Sequence, residues 1–133
     1  MTKEAERKTQ VLIVEDDPVI CKLTANLLEK ERNIKAKCTT SGEDAVRAWR
    51  VEKFDVILMD IRMEGMDGVE TAKLIRELER MQDGKRTKII AYSAVADQNT
   101  IENDIEAEFD DFISKPTTLT ELVDKIDKSL STH

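Results

Sequence analysis

Acidic side chains follow two apolar stretches of this chain. Asp60 ends the run 56–59 (Val-Ile-Leu-Met), and Glu15, Asp16 and Asp17 follow the run 11–14 (Val-Leu-Ile-Val). Such runs are typical of buried parallel strands, and residues at their carboxyl ends reach the crevice where ligands bind in open α/β sheets. Acids gathered at one crevice raise one another's pKa unless a cation lies among them. Carboxylate oxygens favour Mg²⁺, which takes one or two carboxylates, keeps several waters and contacts phosphate.

Two further polar residues end predicted strands. Ser93 follows the apolar stretch 89–92, and Lys115 follows the stretch 112–114. Each has an ordinary alternative explanation, because a serine there can serve a turn or a helix cap and such a lysine is commonly on the surface. A lysine ammonium at a strand end also suits an anionic oxygen. The placement of all these residues at strand ends favours one polar site.

Composition indicates one ordinary globular domain and excludes several classes of function. The chain has 133 residues, of which 40% are hydrophobic and 37% charged, with a net charge of -7. An acidic chain is a poor candidate for direct nucleic-acid binding, which requires a basic face. No apolar run approaches the roughly 20 residues that cross a membrane. We therefore predict a cytoplasmic protein with a flexible tail at residues 1–9 and one domain over 10–131.

The two cysteines, Cys21 and Cys38, do not form the regular framework of a disulfide-rich domain. Without a signal peptide, they are predicted to be reduced thiols that pack as small hydrophobic residues.

Strand and helix patterns alternate five times along the chain. Predicted strands cover 10–15, 34–38, 55–60, 88–92 and 110–114. Asp17, Ser41 and Asp67 are predicted N-caps of the first three helices. A helix over 98–108 has a sparse apolar stripe, and the last helix begins at about Leu119. This alternation predicts an α/β, doubly wound (βα)5 fold with a five-stranded parallel sheet. It fits a flavodoxin-like domain with the strand order 2-1-3-4-5, an order that the alternation by itself does not prove and that would make the first and third strands neighbours.

Apolar spacing also predicts which face each helix buries. In the first helix the predicted stripe is Ile20, Leu23, Leu27 and Leu28. In the third helix it is Val69, Ala72, Ile75, Leu78 and Met81. Both sets follow the helical period of 3.6 residues.

From Gln10 to Leu130 the chain resembles the receiver domain of two-component response regulators. The matching stretches, in order and at the spacing of that family, are Val-Leu-Ile-Val-Glu-Asp-Asp-Pro at 11–18, Val-Ile-Leu-Met-Asp-Ile-Arg-Met at 56–63, Met-Asp-Gly at 66–68, Tyr-Ser-Ala at 92–94 and Ser-Lys-Pro at 114–116. The resemblance implies that Asp60 accepts a phosphoryl group from a phosphohistidine of a histidine kinase or histidine phosphotransfer protein.

The resemblance also implies roles for the neighbouring residues. Glu15, Asp16, Asp60 and the backbone carbonyl of Arg62 would hold Mg²⁺. Ser93 and Lys115 would contact the phosphoryl oxygens, and the peptide bond between Lys115 and Pro116 would be cis. Phosphoryl transfer needs mainly positioning and charge neutralisation from the protein, and these residue types supply both.

A switch is implied as well. Ser93 and Phe112 would move on phosphorylation and change the face formed by the predicted helix 98–108, the fifth strand and the last helix. A downstream protein would bind to that face, and a second copy of the chain could bind there in a phosphorylation-dependent dimer. The family pattern thus predicts a signalling domain rather than an enzyme acting on external substrates, either a stand-alone regulator or the receiver of a hybrid histidine kinase.

The chain departs from the family pattern at Glu64 and at Phe112, which replaces the commoner tyrosine, and three competing functions remain. Glu64 stands where many receivers have proline, and the apolar Val95 is predicted to lengthen the life of the phosphorylated form because it cannot position water. An aspartate-nucleophile phosphatase would carry an acid at Arg62, and a nucleotide carrier would need a glycine-rich loop after the first strand. A degenerate receiver that only binds partners is the third alternative.

Overall fold

Five parallel strands form the sheet of the computed structural model, which describes residues 8–61, 67–82, 86–94, 108–115 and 117–131, without the side chains of Ser93 and Ala94. The elements in these ranges are β1 (Thr9–Val14), α1 (Pro18–Leu28), β2 (Ile34–Thr39), α2 (Gly42–Val51), β3 (Val56–Asp60), α3 (Gly68–Gln82), β4 (Lys88–Ala94), β5 (Asp111–Lys115) and α4 (Leu119–Ser131). The predicted helix 98–108 lies outside them except for Glu108, which is in a turn. Glu64, Val95 and Pro116 lie outside them too.

The strand order is β2-β1-β3-β4-β5, which confirms the predicted doubly wound topology. All four neighbouring pairs are parallel. Because β1 lies between β2 and β3, the residues that follow β1 and those that end β3 share one edge of the sheet. β1 begins at Thr9, one residue before the predicted start of that strand.

Alternate residues of each strand enter two separate cores, as the two-residue period of a strand requires. On one face, Leu12 and Val14 pack with residues of α2 and α3 such as Ala45 and Ile75. On the other face, Val11 and Ile13 belong to the cluster that includes residues of α1 and α4. The sheet is therefore covered on both sides, which explains why its central strands are almost continuously apolar.

The three predicted N-caps are confirmed. The carboxylate of Asp17 accepts hydrogen bonds from the backbone N–H groups of Val19 and Ile20, with Pro18 at the first helical position. The Ser41 hydroxyl accepts from Asp44 N, and the Asp67 carboxylate accepts from Glu70 N. These caps satisfy donors that the helix itself leaves unpaired.

The predicted apolar stripe of α1 is confirmed at Leu28, which is buried, and wrong at Ile20 and Leu23. The buried residues are Cys21, Ala25 and Leu28, whereas Ile20 and Leu23 are exposed. Cys21 and Ala25 are small, so they let the helix approach the sheet closely while the larger side chains point to solvent. Met81, the last residue of the predicted stripe of α3, is also exposed, because it lies in the final turn of that helix.

The prediction of two reduced cysteines is wrong as well. Cys21 and Cys38 form a disulfide across 17 residues of sequence, with their Cα atoms 5.8 Å apart. The reason is topological, because α1 packs back over the sheet beside β2. Cys38 is the second-last residue of β2 and pairs with Ile13 of β1. Sequence spacing carries no sign of this contact, whereas the Cα separation is usual for a disulfide.

Candidate functional site

Three carboxylates meet at the carboxyl ends of β1 and β3. Carboxylate oxygens of Glu15, Asp16 and Asp60 all lie within 4.8 Å of one another. The pairing of Val14 with Met59 places the next residue of each strand side by side, which is why these acids converge. Glu15 and Asp60 are buried, whereas Asp16 is exposed. The cluster thus opens to solvent on the side of Asp16.

The ammonium of Lys115 lies among these acids. Its Nζ is 2.9 Å from Glu15 Oε1 and 3.5 Å from Asp60 Oδ2. Lys115 ends β5, and β5 is separated from β3 by β4, so its long side chain crosses a strand to reach Asp60. Lys115 therefore supplies positive charge where acids from two other strands would otherwise repel each other.

This contact perturbs the titration of both partners. Burial by itself would raise the pKa of Glu15, but the hydrogen bond from Lys115, a second from the backbone of Asp17 and the charge of Lys115 lower that pKa below its usual value. Burial would lower the pKa of Lys115, yet its bond to Glu15 and the charges of Asp60 and Glu15 raise it. Both pKa shifts favour the charged forms, so Glu15 and Lys115 are a charged pair at neutral pH.

Backbone contacts hold the loop that carries the two N-terminal acids. Glu15 N donates to Thr39 O of β2 at 3.0 Å, and Asp17 N donates to Glu15 Oε2 at 3.2 Å. Asp17 in turn caps α1, so the start of that helix is tied to the acid cluster. The positions of Glu15 and Asp16 are therefore set by three elements at once.

Gly68 is a site residue that appeared in the sequence only as part of the Met-Asp-Gly stretch. A Cβ atom at this position would lie 2.2 Å from the carbonyl oxygen of Asp60 and 2.8 Å from Ile61 Cα. Gly68 N also donates to Ile61 O at 3.1 Å. The first turn of α3 thus packs directly on the backbone of Asp60, and a side chain at Gly68 has no room.

Tyr92 is the second residue that the sequence did not single out for the site. The Nζ of Lys115 lies 4.8 Å from the centroid of the Tyr92 ring. Burial, and the nearby charges of Glu15 and Asp60, raise the pKa of its phenol, although the ammonium of Lys115 opposes this. The signal in the sequence would have been an aromatic residue near the end of the fourth strand, beside the strand that Lys115 ends.

The remaining predicted residues are placed in part. The backbone of Ser93 pairs with Ser114 in β4 and β5, while its side chain and all of Arg62 lie outside the described part of the chain. Phe112 is half-buried and packs against the core on the face of α2 and α3, with its ring 6.1 Å from that of Phe109. Phe112 therefore lies on the face of the sheet opposite to Tyr92.

The donor set suits a hard divalent cation. Carboxylate oxygens from Glu15, Asp16 and Asp60 are close enough together to act on one ion, and one of these acids is open to water. Mg²⁺ commonly binds through one or two carboxylates while it retains waters and phosphate oxygens. A lysine beside the same acids adds a contact for an anionic group.

A family model of the response regulator receiver domain matches residues 11–127. The chain belongs to this family. Receiver domains are signalling domains of two-component systems, and this membership confirms the resemblance drawn from the sequence motifs. The acid cluster at the end of β1 and β3 is consistent with the Mg²⁺ and phosphorylation of such domains.

Several curated relatives are histidine kinases much longer than this chain. Hybrid signal transduction histidine kinase A of Dictyostelium discoideum is 33% identical over 91% of this chain, which corresponds to 6% of the kinase. The sensor histidine kinase GacS of Pseudomonas protegens is 32% identical over 89% of this chain and 13% of its own length. The receiver thus matches a small part of each kinase.

A solved receiver domain is similar to this chain in both structure and sequence. The receiver domain of a sensor histidine kinase from Pseudomonas aeruginosa, which holds a magnesium ion in its active-site cleft, superposes with a TM-score of 0.79. It is 30% identical, and the alignment covers 94% of this chain and 99% of that domain.

Among the described helices of our chain, none combines the length and apolarity that a membrane span requires.

Proposed function

We propose that this receiver takes a phosphoryl group from a phosphohistidine onto Asp60 in a Mg²⁺-dependent reaction. The observation that carries the proposal is the meeting of Glu15, Asp16 and Asp60 with the Lys115 ammonium at one edge of the sheet. Acids alone would suit a metal site. The added lysine, within reach of the same acids, suits a site that must also accept an anionic group.

In this reaction a carboxylate oxygen of Asp60 attacks phosphorus. A phosphorus–oxygen bond forms as the phosphorus–nitrogen bond to the donor histidine breaks, and the imidazole leaves with the electron pair of that bond. Glu15, Asp16, Asp60 and the backbone carbonyl of Arg62 would hold the metal, Glu15 mainly through water. When bound, Mg²⁺ supplies neutralisation of charge on the phosphoryl oxygens. Lys115 and the hydroxyl of Ser93 would contact those oxygens.

Phosphorylation would then act as a switch through Ser93 and Phe112. The backbone pairing of β4 with β5 brings Ser93 next to Ser114, close in sequence to both Phe112 and Lys115. Phe112 itself is only half-buried, so part of its side chain is at the surface. The face that includes β5 and α4 would thereby change its affinity for a downstream protein or for a second copy of the chain.

Helix α1 offers a contact surface for the donor of the phosphoryl group. Its first turns begin beside the acid cluster and expose Val19, Ile20 and Leu23 by 74%, 43% and 56%. Grouped apolar side chains at a solvent surface are typical of protein contacts. We infer that a histidine kinase or a histidine phosphotransfer protein docks here, with its histidine facing Asp60.

The degenerate receiver is the second candidate, a module that binds partners without phosphorylation. It would not need the acid cluster, and it would not need a lysine within 4 Å of two buried acids. The presence of both in the described structure favours the phosphorylated receiver.

Intact mass spectrometry tests the proposal. Incubation with Mg²⁺ and acetyl phosphate should add one phosphoryl group to the wild-type chain and none to Asp60→Asn. Removal of Mg²⁺ with EDTA should prevent the gain. A chain that gains no phosphoryl group, or an Asp60→Asn variant that still gains one, contradicts the proposal.

Docking on α1 has its own test. Leu23→Asp should slow transfer from a phosphorylated histidine phosphotransfer domain and leave phosphorylation by acetyl phosphate unchanged, because the small donor needs no protein surface. Asn26→Asp, at an exposed position of the same helix, serves as a charge-matched control. Equal slowing with both donors would argue against a docking role.

A further inference from the structure

The register of the sheet places Tyr92 between Asp60 and Lys115. Asp60 of β3 pairs with Tyr92 of β4, and Tyr92 pairs with Ile113 of β5. Lys115 lies two residues beyond Ile113, so its side chain emerges on the same face of the sheet as Tyr92. To reach Asp60, the lysine side chain must therefore pass over β4 at Tyr92.

The observed contacts agree with this path. Lys115 Nζ lies 4.8 Å from the Tyr92 ring centroid while it is 2.9 Å from Glu15 and 3.5 Å from Asp60. The Tyr92 ring packs against the core cluster that includes residues of α1 and α4. The ring thus contacts both this core cluster and the ammonium of Lys115.

The chemistry of the ring suits a lysine that must change partners. An aromatic face attracts a cation through its quadrupole, and this attraction leaves the N–H donors of the ammonium available for other acceptors. The ammonium could then exchange a carboxylate oxygen for a phosphoryl oxygen while its contact with Tyr92 persists. A carboxylate in place of the ring would instead compete with the phosphoryl group for the same donors.

We infer that Tyr92 is a positioning residue, which holds the Lys115 ammonium at the acid cluster through its aromatic face. The inference rests on the proposed function for its use in phosphoryl transfer. Its geometric part, the contact between ring and ammonium, can be measured without any phosphorylation. Tyr92 is the single tyrosine of the chain, so substitutions at this position remove no other phenol.

The geometric part is tested by NMR on protein labelled with ¹³C at the lysine ε carbons. The ε protons of Lys115 should be shifted upfield by the ring current of Tyr92, and the signal is assigned by its loss in Lys115→Met. Tyr92→Phe keeps the ring and should keep the shift, whereas Tyr92→Leu should abolish it. An upfield signal that persists in Tyr92→Leu overturns the inference.

The functional part is tested by the rate of phosphorylation from acetyl phosphate at saturating Mg²⁺. Tyr92→Leu should be roughly three- to fivefold slower than wild type, a range typical of a half-buried cation–π contact, and Tyr92→Phe should restore most of the rate. In a Lys115→Met background, Tyr92→Leu should have no further effect, because the two residues act through one contact.

The outcomes separate the two proposals. Slowing by Tyr92→Leu that is equally large in the Lys115→Met background shows a general packing defect and overturns the inference alone. A wild-type chain that shows the upfield lysine signal but is never phosphorylated overturns the proposed function, and with it the use of Tyr92 in transfer. An upfield shift together with slowing that depends on Lys115 supports the inference.

Discussion

The ammonium of Lys115 lies 2.9 Å from a carboxylate oxygen of Glu15 and 3.5 Å from one of Asp60. In this arrangement the residue proposed to meet the phosphoryl group also neutralises the acids proposed to hold the metal. Lys115 must therefore give up some of its contact with Glu15 when a metal and a phosphoryl group are both bound. Metal binding, lysine position and acid titration should consequently be coupled.

Removal of the lysine should strengthen metal binding. The ammonium and Mg²⁺ act on the same carboxylates, so Lys115→Met should lower the dissociation constant for Mg²⁺ by roughly three- to tenfold, about 1 kcal/mol after allowance for solvent screening. Isothermal titration calorimetry measures the constant. Lys125→Met is a suitable control, because Lys125 pairs with Asp111 at 3.0 Å instead of with the acid cluster. Unchanged or weaker Mg²⁺ binding in Lys115→Met would contradict the coupling.

Stability should depend on pH through the same pair. The pKa of Glu15 is lowered in the fold, so its stabilising contribution is present above its ordinary value of 4.5 and is lost as pH falls through the lowered pKa. The pKa of Lys115 is raised, so its contribution is present below 10.5 and is lost as pH rises through the raised value. The lysine's partly exposed position keeps both contributions modest.

Urea unfolding in EDTA checks this pH dependence. The difference in unfolding free energy between wild type and Lys115→Met should shrink as pH falls below 4.5 and through the lowered pKa of Glu15, because Glu15 becomes neutral and the pair is lost. A second loss of the difference is expected above pH 10.5. A difference that stays constant over the acid range would show that the pair contributes nothing to stability.

Substitution of Gly68 should damage the site through the backbone. Gly68→Ala places a Cβ 2.2 Å from Asp60 O, so α3 or the end of β3 must move, at a cost of roughly 1–3 kcal/mol. We expect thermal unfolding at lower temperature and slower phosphorylation by acetyl phosphate. Val69→Ala is the control, since it changes the next residue of α3 and removes volume beside the core instead of adding it. Equal effects of the two substitutions on the phosphorylation rate would refute a specific role of Gly68.

Reduction of the disulfide should destabilise the fold. The bond between Cys21 and Cys38 spans 17 residues, and loops of that size are stabilised by roughly 3 kcal/mol when closed. A thiol reductant should therefore lower the urea midpoint of wild type and leave the doubly substituted Cys21→Ser, Cys38→Ser chain unaffected. Alkylation of both cysteines without prior reduction would contradict the presence of the bond.

A buried arginine ties α3 to the starts of β4 and β5. Arg76 donates to Glu79 Oε1 at 2.8 Å, to Thr87 O at 2.7 Å, to Glu108 O at 3.1 Å and to Asp110 Oδ2 at 2.8 Å. Glu79 in turn accepts from Thr87 N at 2.7 Å, and Asp110 accepts from Ile89 N at 2.8 Å. The arginine is 4% exposed and Glu79 is 7% exposed, so loss of Arg76 would leave the Glu79 carboxylate buried without its cationic partner.

Loss of this arginine should be costly. Arg76→Ala is expected to lower the unfolding free energy by roughly 3–5 kcal/mol, the usual effect of breaking a buried ion pair from one side. Arg86→Ala, which removes a half-exposed partner of Asp110 at 3.2 Å, should cost less than about 1 kcal/mol. Denaturation by urea compares the two. A similar small loss for both would mean that water replaces the buried contacts of Arg76.

Local patterns in the sequence were enough to predict the five strands, the described helices and the two groups of acids. Apolar runs such as 56–59 need cover on both faces, which leads to a doubly wound sheet, and N-caps such as Asp17 and Ser41 mark where helices begin. These signals are local, because period and cap chemistry act within a few residues. They placed Glu15, Asp16 and Asp60 at the ends of strands, and the predicted strand order then implied that these acids converge.

The tertiary structure alone decided the contacts between residues distant in sequence. The choice of Glu15 as the nearer partner of Lys115, the ring of Tyr92 beneath its ammonium and the disulfide between Cys21 and Cys38 depend on which strands are neighbours and on the face that each residue occupies. The exposure of Leu23 and the lack of room for a side chain at position 68 likewise follow from how closely the helices approach the sheet. Such distances result from packing of the whole domain, and no local pattern in the sequence encodes them.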